Sequence, residues 1–318
     1  MQPNQWYIKA ARACTGQGST PTQIYAGVQT LGSNIQLNPA ITVEFEGVNT
    51  PSLTCPMNEQ GLTPSLNRCA KLAAYALTEL DTELPETAAL ALQIGTTQNQ
   101  DSFLETLADE LAELGQFHLV HWVETIEIIA IQKPEDWQQL KPFDQVIWLN
   151  ADHLINTKFI QSLSHRIANE IYPEGIVAGE AASVLWLSKN AANSDCPVLT
   201  VHLSAVTQLS QTEEWIPDCE PSQCLLINSV SSEPKQQSAW FQWVSKYETD
   251  IPYKEAPQLW LARSFGYLGA ASAGIGVLCA LGYLNLPVAT TSTALVVDLQ
   301  LASQYHFYQI EQGKHHVR

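Results

Sequence analysis

Basic residues are scarce in this chain: 15 Lys and Arg stand against 32 Asp and Glu, a formal net charge of −17 at pH 7. No block of Lys or Arg occurs along it. Phosphate backbones and anionic lipid repel so acidic a protein, which argues against nucleic acid or a membrane surface as partner and favours a basic protein surface. The opening stretch, MQPNQWYIKAARACTG, lacks the basic segment, apolar segment and small-residue cleavage site of a secretory signal, so a cytoplasmic location is expected. Cysteines number seven, an odd count at irregular spacing, which argues against a disulfide framework. Only Cys219 and Cys224, in CEPSQC, lie close enough for a bridge or half a zinc site. With no second Cys/His pair nearby to complete the site, thiols in a loop or the core are expected, and neither metal nor cofactor. Internal repeats of short period and low-complexity linkers are also missing.

What is present suffices for a large core, since 45% of the 318 residues are hydrophobic. WYIKAARAC (6–14) reads as a first strand, with TGQGSTP as the turn after it. Leu66, Cys69, Ala70, Ala73, Ala76, Leu77 and Leu80 recur at helical spacing behind Ser65, which is expected to cap that helix. TAALALQIG (87–95) reads as a buried strand, and Asp101 opens a helix that ends at Gly115. FHLVHWVETIEIIAI (117–131) fits either element. QVIWLN (145–150) and IVAGEAASVLWLS (176–188) are strand-like. PVLTVHLSAV, CLLINSV, TALVVDL and QYHFYQI follow as strands, with a helix over 235–247. Strands alternating with helices in both halves predict an α/β protein with buried sheets.

The stretch SFGYLGAASAGIGVLCALGYL (264–284) carries no charge, and the chain stays uncharged from Ser264 to Val297. It is long enough to span a bilayer. Its bulk, however, is Gly, Ala and Ser, and no basic cluster anchors either end. GAASAG matches neither a dinucleotide fingerprint nor a P-loop. A soluble helix packed on every side is therefore expected.

Several residues invite a chemical reading. His118 and His121, with Glu124 beyond, would share a helix face suited to a metal, but without the HExxH spacing surface histidines are expected. Asn150, Asp152 and His153 read as a polar turn after a strand. Cys14 has no neighbour in sequence to lower its pKa and reads as a buried thiol. Glu180, a carboxylate in an apolar run, must be paired or hydrogen-bonded. Trp240 and Trp243 share a helical face, and with Tyr247 and Tyr253 they form an aromatic group suited either to core or to a protein interface.

In order along the chain, WYIKAARACTGQG, QVIWLNADHLIN, YPEGIVAGEAASVLWL and the Gly/Ala helix resemble motifs of the β-ketoacyl synthases. The resemblance implies a thiolase-like fold in a single domain, 1–318, whose two related βαβαβ halves, about 1–190 and 195–318, form a five-layer α-β-α-β-α sandwich. It also implies a set of catalytic positions. Counting back from QVIWLN by the family's spacing puts the cysteine nucleophile in VETIEIIA, near Thr125, yet no cysteine lies between Cys69 and Cys196. The histidine that precedes the Gly/Ala helix corresponds to Gly266, and the family's lysine falls near Leu261. The glycine-rich loop corresponds to VDLQLASQ (297–304), which has no glycine. Condensation needs an activated cysteine, basic groups and oxyanion donors, so the expectation is a ketosynthase pseudoenzyme.

Two functional readings follow. LLINSVSSEP, a tryptophan-bearing helix and SFGYLGAASAGIG together resemble a divergent branch of accessory proteins that accompany type VI secretion effectors, which implies an adaptor or chaperone for an effector or its co-adaptor. The alternative is a β-ketoacyl synthase-like enzyme, or an acyl-binding partner subunit resembling a chain-length factor. The family resemblance further allows a homodimer.

Overall fold

The computed structural model describes residues 4–30, 34–56, 67–80, 84–85, 87–95, 99–191, 195–203, 224–231, 233–246, 258–300 and 304–313. The elements of the first half are β1 (Asn4–Cys14), α1 (Pro21–Gln29), β2 (Gln36–Phe45), β3 (Val48–Cys55), α2 (Arg68–Thr78), β4 (Ala89–Ile94), α3 (Gln100–Glu113), α4 (Phe117–Thr125), β5 (Glu127–Ala130), β6 (Gln145–His153), α5 (Thr157–Leu163) and β7 (Ala178–Ser188). Those of the second are β8 (Val198–Val201), β9 (Cys224–Asn228), α6 (Pro234–Lys246), β10 (Gln258–Trp260), α7 (Leu261–Phe265), α8 (Ser272–Leu284), β11 (Thr293–Gln300) and β12 (Gln304–Glu311).

The strand order repeats. The first half runs β5-β4-β6-β7-β1 and the second β10-β9-β11-β12-β8. In each, the first three strands are mutually parallel and the fourth is antiparallel to both of its neighbours. Antiparallel pairing of β1 with β8 joins the halves. The period of two along each strand then decides the layers. On β6, Val146 and Trp148 point into one core and Ile147, Leu149 and Ala151 into another. On β11, Ala294 and Val296 share the core of Val146, whereas Leu295, Val297 and Leu299 face a third. The shared core holds α1 and α8. The other two are covered by α2, α3 and α4 on one side and by α6 on the other. The result is the five-layer α-β-α-β-α arrangement.

The Gly/Ala segment supplies α8, in which every residue from Ser272 to Leu284 is buried. It is not one continuous helix: α7 ends at Gly266, and a 3-10 turn over Gly269–Ala271 leads into α8. Among the described residues no helix is long and apolar enough to cross a membrane. The ambiguous stretch 117–131 contains both elements, α4 and then β5. The helix expected behind Ser65 begins at Arg68, after Asn67, which makes no side-chain cap bond; Ser65 itself lies outside the described residues. Asn99, rather than Asp101, caps α3 by accepting the Ser102 N–H at 3.1 Å.

One asymmetry between the halves bears on function. Between β10 and β11 the chain builds α7, a 3-10 turn and all of α8; between β5 and β6 it builds only a 3-10 turn, Pro134–Leu140. The helix that α8 would have as its counterpart is missing. Trp137 of that short turn packs edge-on against Trp148 at 4.9 Å, and Trp148 stacks on Tyr308 at 5.3 Å. Against α8 lies α1 instead, with Tyr25 and Tyr283 rings 5.8 Å apart.

Candidate functional site

The three positions that resemblance assigns to catalysis do not converge. Leu261 opens α7 and is buried in the central core. Gly266 ends the same helix. Thr125 is the exposed last residue of α4, in an outer layer, where its hydroxyl donates to the His121 carbonyl at 2.8 Å. Thr125 thus lies in a different layer from Leu261 and Gly266.

Gly266 has φ +70°, a region costly for residues with a Cβ. A Cβ there would lie 2.9 Å from the Val177 carbonyl oxygen and 3.3 Å from the Gly179 nitrogen. No imidazole fits without moving backbone. The loop is held by β7: the Tyr267 N–H donates to the Val177 carbonyl at 2.7 Å, and the Gly179 N–H donates to the Tyr267 carbonyl at 3.0 Å. The buried Tyr267 hydroxyl reaches across to the Leu299 carbonyl of β11 at 3.3 Å. So the segment that precedes α8 is bound into the sheet of the first half and tied to a strand of the second.

Beside this loop lies a network of buried charge. Arg68 holds Glu180 in a fork, Nε to Oε2 and Nη2 to Oε1, both 2.6 Å. His153 Nδ1 lies 2.9 Å from Glu180 Oε2. An ionised Glu180 only accepts, so Nδ1 carries the proton of that bond. Asp152 accepts the His153 N–H at Oδ1 and the Ala270 N–H at Oδ2, both at 2.9 Å, which fastens the end of β6 to the turn leading into α8. Asp298 on β11 accepts the Ser229 hydroxyl at 2.8 Å and the Ser272 hydroxyl, and faces His306 across the β11–β12 ladder. Burial lowers the His306 pKa. Asp152 and His153 thus lie on β6 itself, beyond Asn150, where a turn was expected. Glu180 is paired as its apolar surroundings require.

Burial pushes the Asp152 carboxyl up from 3.8 to about 6, against the opposing pull of the Ala270 and His153 N–H groups and the nearby imidazole. With the folded pKa above the unfolded one, the folded state binds the proton more tightly. Its contribution to stability is fully present below about pH 4 and is lost as pH rises through about 6. Asp152→Ala is expected to flatten this component between pH 4 and 6.5 in urea titrations, other groups being common to both proteins. An unchanged difference in midpoint across that window would contradict the assignment.

The Cys55 thiol donates to the Ser264 carbonyl at 3.4 Å, and burial pushes its pKa up to about 12. Cys14 is buried, and burial raises the Cys279 pKa as well. Cys224 is disulfide-bonded, a correction to the expectation of free thiols; Cys219 lies outside the described residues. His118, His121 and Glu124 are all exposed on α4, and among the described residues no group of His, Cys, Asp and Glu is arranged to hold a metal.

Trp240 and Trp243 are not available as an interface: both are buried in the core beneath α6, because the stripe they form is the one that packs on β9, β11 and β12. Tyr247 and Tyr253 lie outside the described residues. The exposed aromatic on α6 is Phe241, at 41%, which leans on Trp260 at 5.5 Å, while the Arg263 guanidinium sits 4.8 Å above the Trp260 ring. Sequence reasoning missed these three and Arg68. For Arg68 a signal existed: it is a charge on the apolar face of its helix, as Glu180 is a charge in an apolar strand.

No protein-family model matches the chain, and no curated protein sequence does. Solved structures do match over nearly the whole length. A β-ketoacyl synthase from Burkholderia phymatum superposes with a TM-score of 0.62 at 11% identity, covering 99% of this chain and 100% of that one. The ishigamide ketosynthase/chain length factor gives 0.66 at 13%, covering 98% and 99%. A type II polyketide ketosynthase solved in complex with its acyl-carrier protein gives 0.65 at 10%, covering 98% and 100%. At these identities the likeness establishes the thiolase-like ketosynthase fold.

Proposed function

We propose that this chain is a non-catalytic ketosynthase-fold protein that acts by binding protein. The observation that carries the reading is the loop before α8, sealed against β7 at the position where the resemblance requires a histidine. Three further features support it. The half that should present a nucleophile builds no helix between β5 and β6, Cys55 is held as a neutral thiol, and buried carboxylates nearby are consumed by Arg68 and backbone N–H groups. A net charge of −17 favours a basic partner surface. Within this reading the partner is a type VI secretion effector or its co-adaptor, with the chain acting as adaptor or chaperone in the cytoplasm. A homodimer of the chain is compatible with it.

A second reading rests on the solved neighbours, which include a ketosynthase paired with a chain length factor and a ketosynthase bound to an acyl-carrier protein. By analogy, the chain would be a partner subunit that retains the fold without the nucleophile. Intact-mass spectrometry after incubation with acyl-CoA and with acyl-carrier protein tests both. No covalent adduct is expected on any cysteine. A stoichiometric acyl adduct would overturn the non-catalytic reading, and saturable acyl-carrier binding without an adduct would favour the partner subunit.

A further inference from the structure

Asn150 on β6 and Ser183 on β7 face each other across the ladder and are wholly buried. Both point into the central layer, as Trp148 and Leu185 do one alternation away on their strands. Neither the Asn150 amide oxygen, nor its nitrogen, nor the Ser183 hydroxyl has a hydrogen-bond partner in the protein. The Ser183 hydroxyl and the Asn150 amide nitrogen lie against the first turn of α8 at Gly274, where a Cβ would collide with the hydroxyl and come within 2.8 Å of the nitrogen. An orphaned buried polar group costs roughly 1–3 kcal/mol, so three together are not left dry in a stable core. The same site combines two donors and two acceptors, the set an internal water satisfies.

We infer that Asn150, Ser183 and the first turn of α8 enclose a binding site for ordered internal water between the two halves of the protein. The ligand class follows from burial: both side chains are wholly buried, which favours the smallest polar ligand that can donate and accept at once. Charge points the same way, since the Asp152 carboxylate on the same face of β6 disfavours an anion. Glycine at 274 is then required because its missing side chain gives the polar pair its place beside the helix. The site is independent of whether the chain has a partner.

Oxygen-17 magnetic relaxation dispersion counts long-lived internal waters and supplies the test. The double variant Asn150→Leu, Ser183→Ala is expected to lose at least one such water relative to the unaltered protein. Ser183→Ala alone, a smaller change that preserves the fold, is expected to shorten the residence time of that water. An unchanged count and residence time in both variants would overturn the proposal. Stability gives a second, sign-level readout. With a bridging water, Asn150→Leu alone lowers the melting temperature by stranding Ser183 and the water, and adding Ser183→Ala recovers part of the loss. If the pair is dry, Asn150→Leu removes two orphans and raises the melting temperature, which again overturns the proposal.

Discussion

Arg68→Ala is expected to destabilise the protein by about 3–5 kcal/mol, because it takes from the buried Glu180 the guanidinium that grips both of its oxygens. The Arg68 and Glu180 side chains are 5% and 1% exposed, so solvent cannot replace the lost guanidinium. Glu180→Gln should cost less, since the amide oxygen still accepts from Arg68 and the NH2 can donate to His153 Nδ1 once that ring takes its other neutral tautomer. Replacing both ions with apolar residues of similar volume, Arg68→Met with Glu180→Leu, is expected to recover most of the loss, as removal of a whole buried pair tends to be near neutral. Urea midpoints on the four proteins decide the matter. If Arg68→Ala shifts stability by less than about 1 kcal/mol, the pair behaves as a surface ion pair does, and the network around β6, β7 and α2 does not hold this region together. For contrast, the Arg166–Glu233 fork is more exposed, 33% at the arginine, and its loss should cost about 1 kcal/mol or less.

The same pair shows how far the sequence could be read. Strands whose burial alternates or is continuous were visible as apolar runs, and so were α2, α3 and α6, because the 3.6-residue period records a buried face in the chain itself; α8 was visible instead as an uncharged Gly/Ala run. The elements that went unread have their cause elsewhere. Helix α1, which follows the turn TGQGSTP, drew no expectation, although Thr20 and Gln23 form a reciprocal capping box that opens it; its apolar face in the central core is only Ile24 and Val28. The β2–β3 hairpin is exposed along much of β2 and broken between Asn38 and Thr42, so no alternation marks it. For the site, identity and position separated. That Glu180 needs a partner follows from one residue in an apolar run, but that the partner is Arg68, 112 positions away in sequence, is a property of how α2 lies on β7.

Gly179→Ala tests the sealed loop directly and should have the second-largest effect. A Cβ at 179 would collide with the Phe265 carbonyl and lie 3.0 Å from a Leu268 methyl and 3.2 Å from the Tyr267 carbonyl. Two of these three contacts are backbone, so the side chains cannot yield and the loop must lift from β7. The bonds between Tyr267 and residues 177 and 179 would then stretch or break, and the Tyr267 hydroxyl would lose its register with Leu299. Overpacking of this kind costs about 1–3 kcal/mol, and the broken bonds add about 1 kcal/mol each. Hydrogen exchange locates the loss: the Tyr267 and Gly179 amides should exchange faster by at least the factor that the global change in stability implies, while β4 and β5 change only with global stability. Gly115→Ala serves as the comparison, because Gly115 has φ +73° but open space around its missing Cβ. It should cost only the backbone term of about 1–2 kcal/mol and leave Tyr267 protected. If instead the two variants behave alike, close approach of the loop to β7 is not what holds it. If Gly179→Ala loosens the loop and the protein then takes up an acyl group that the unaltered chain does not, the closure of the loop against β7 governs access to this region.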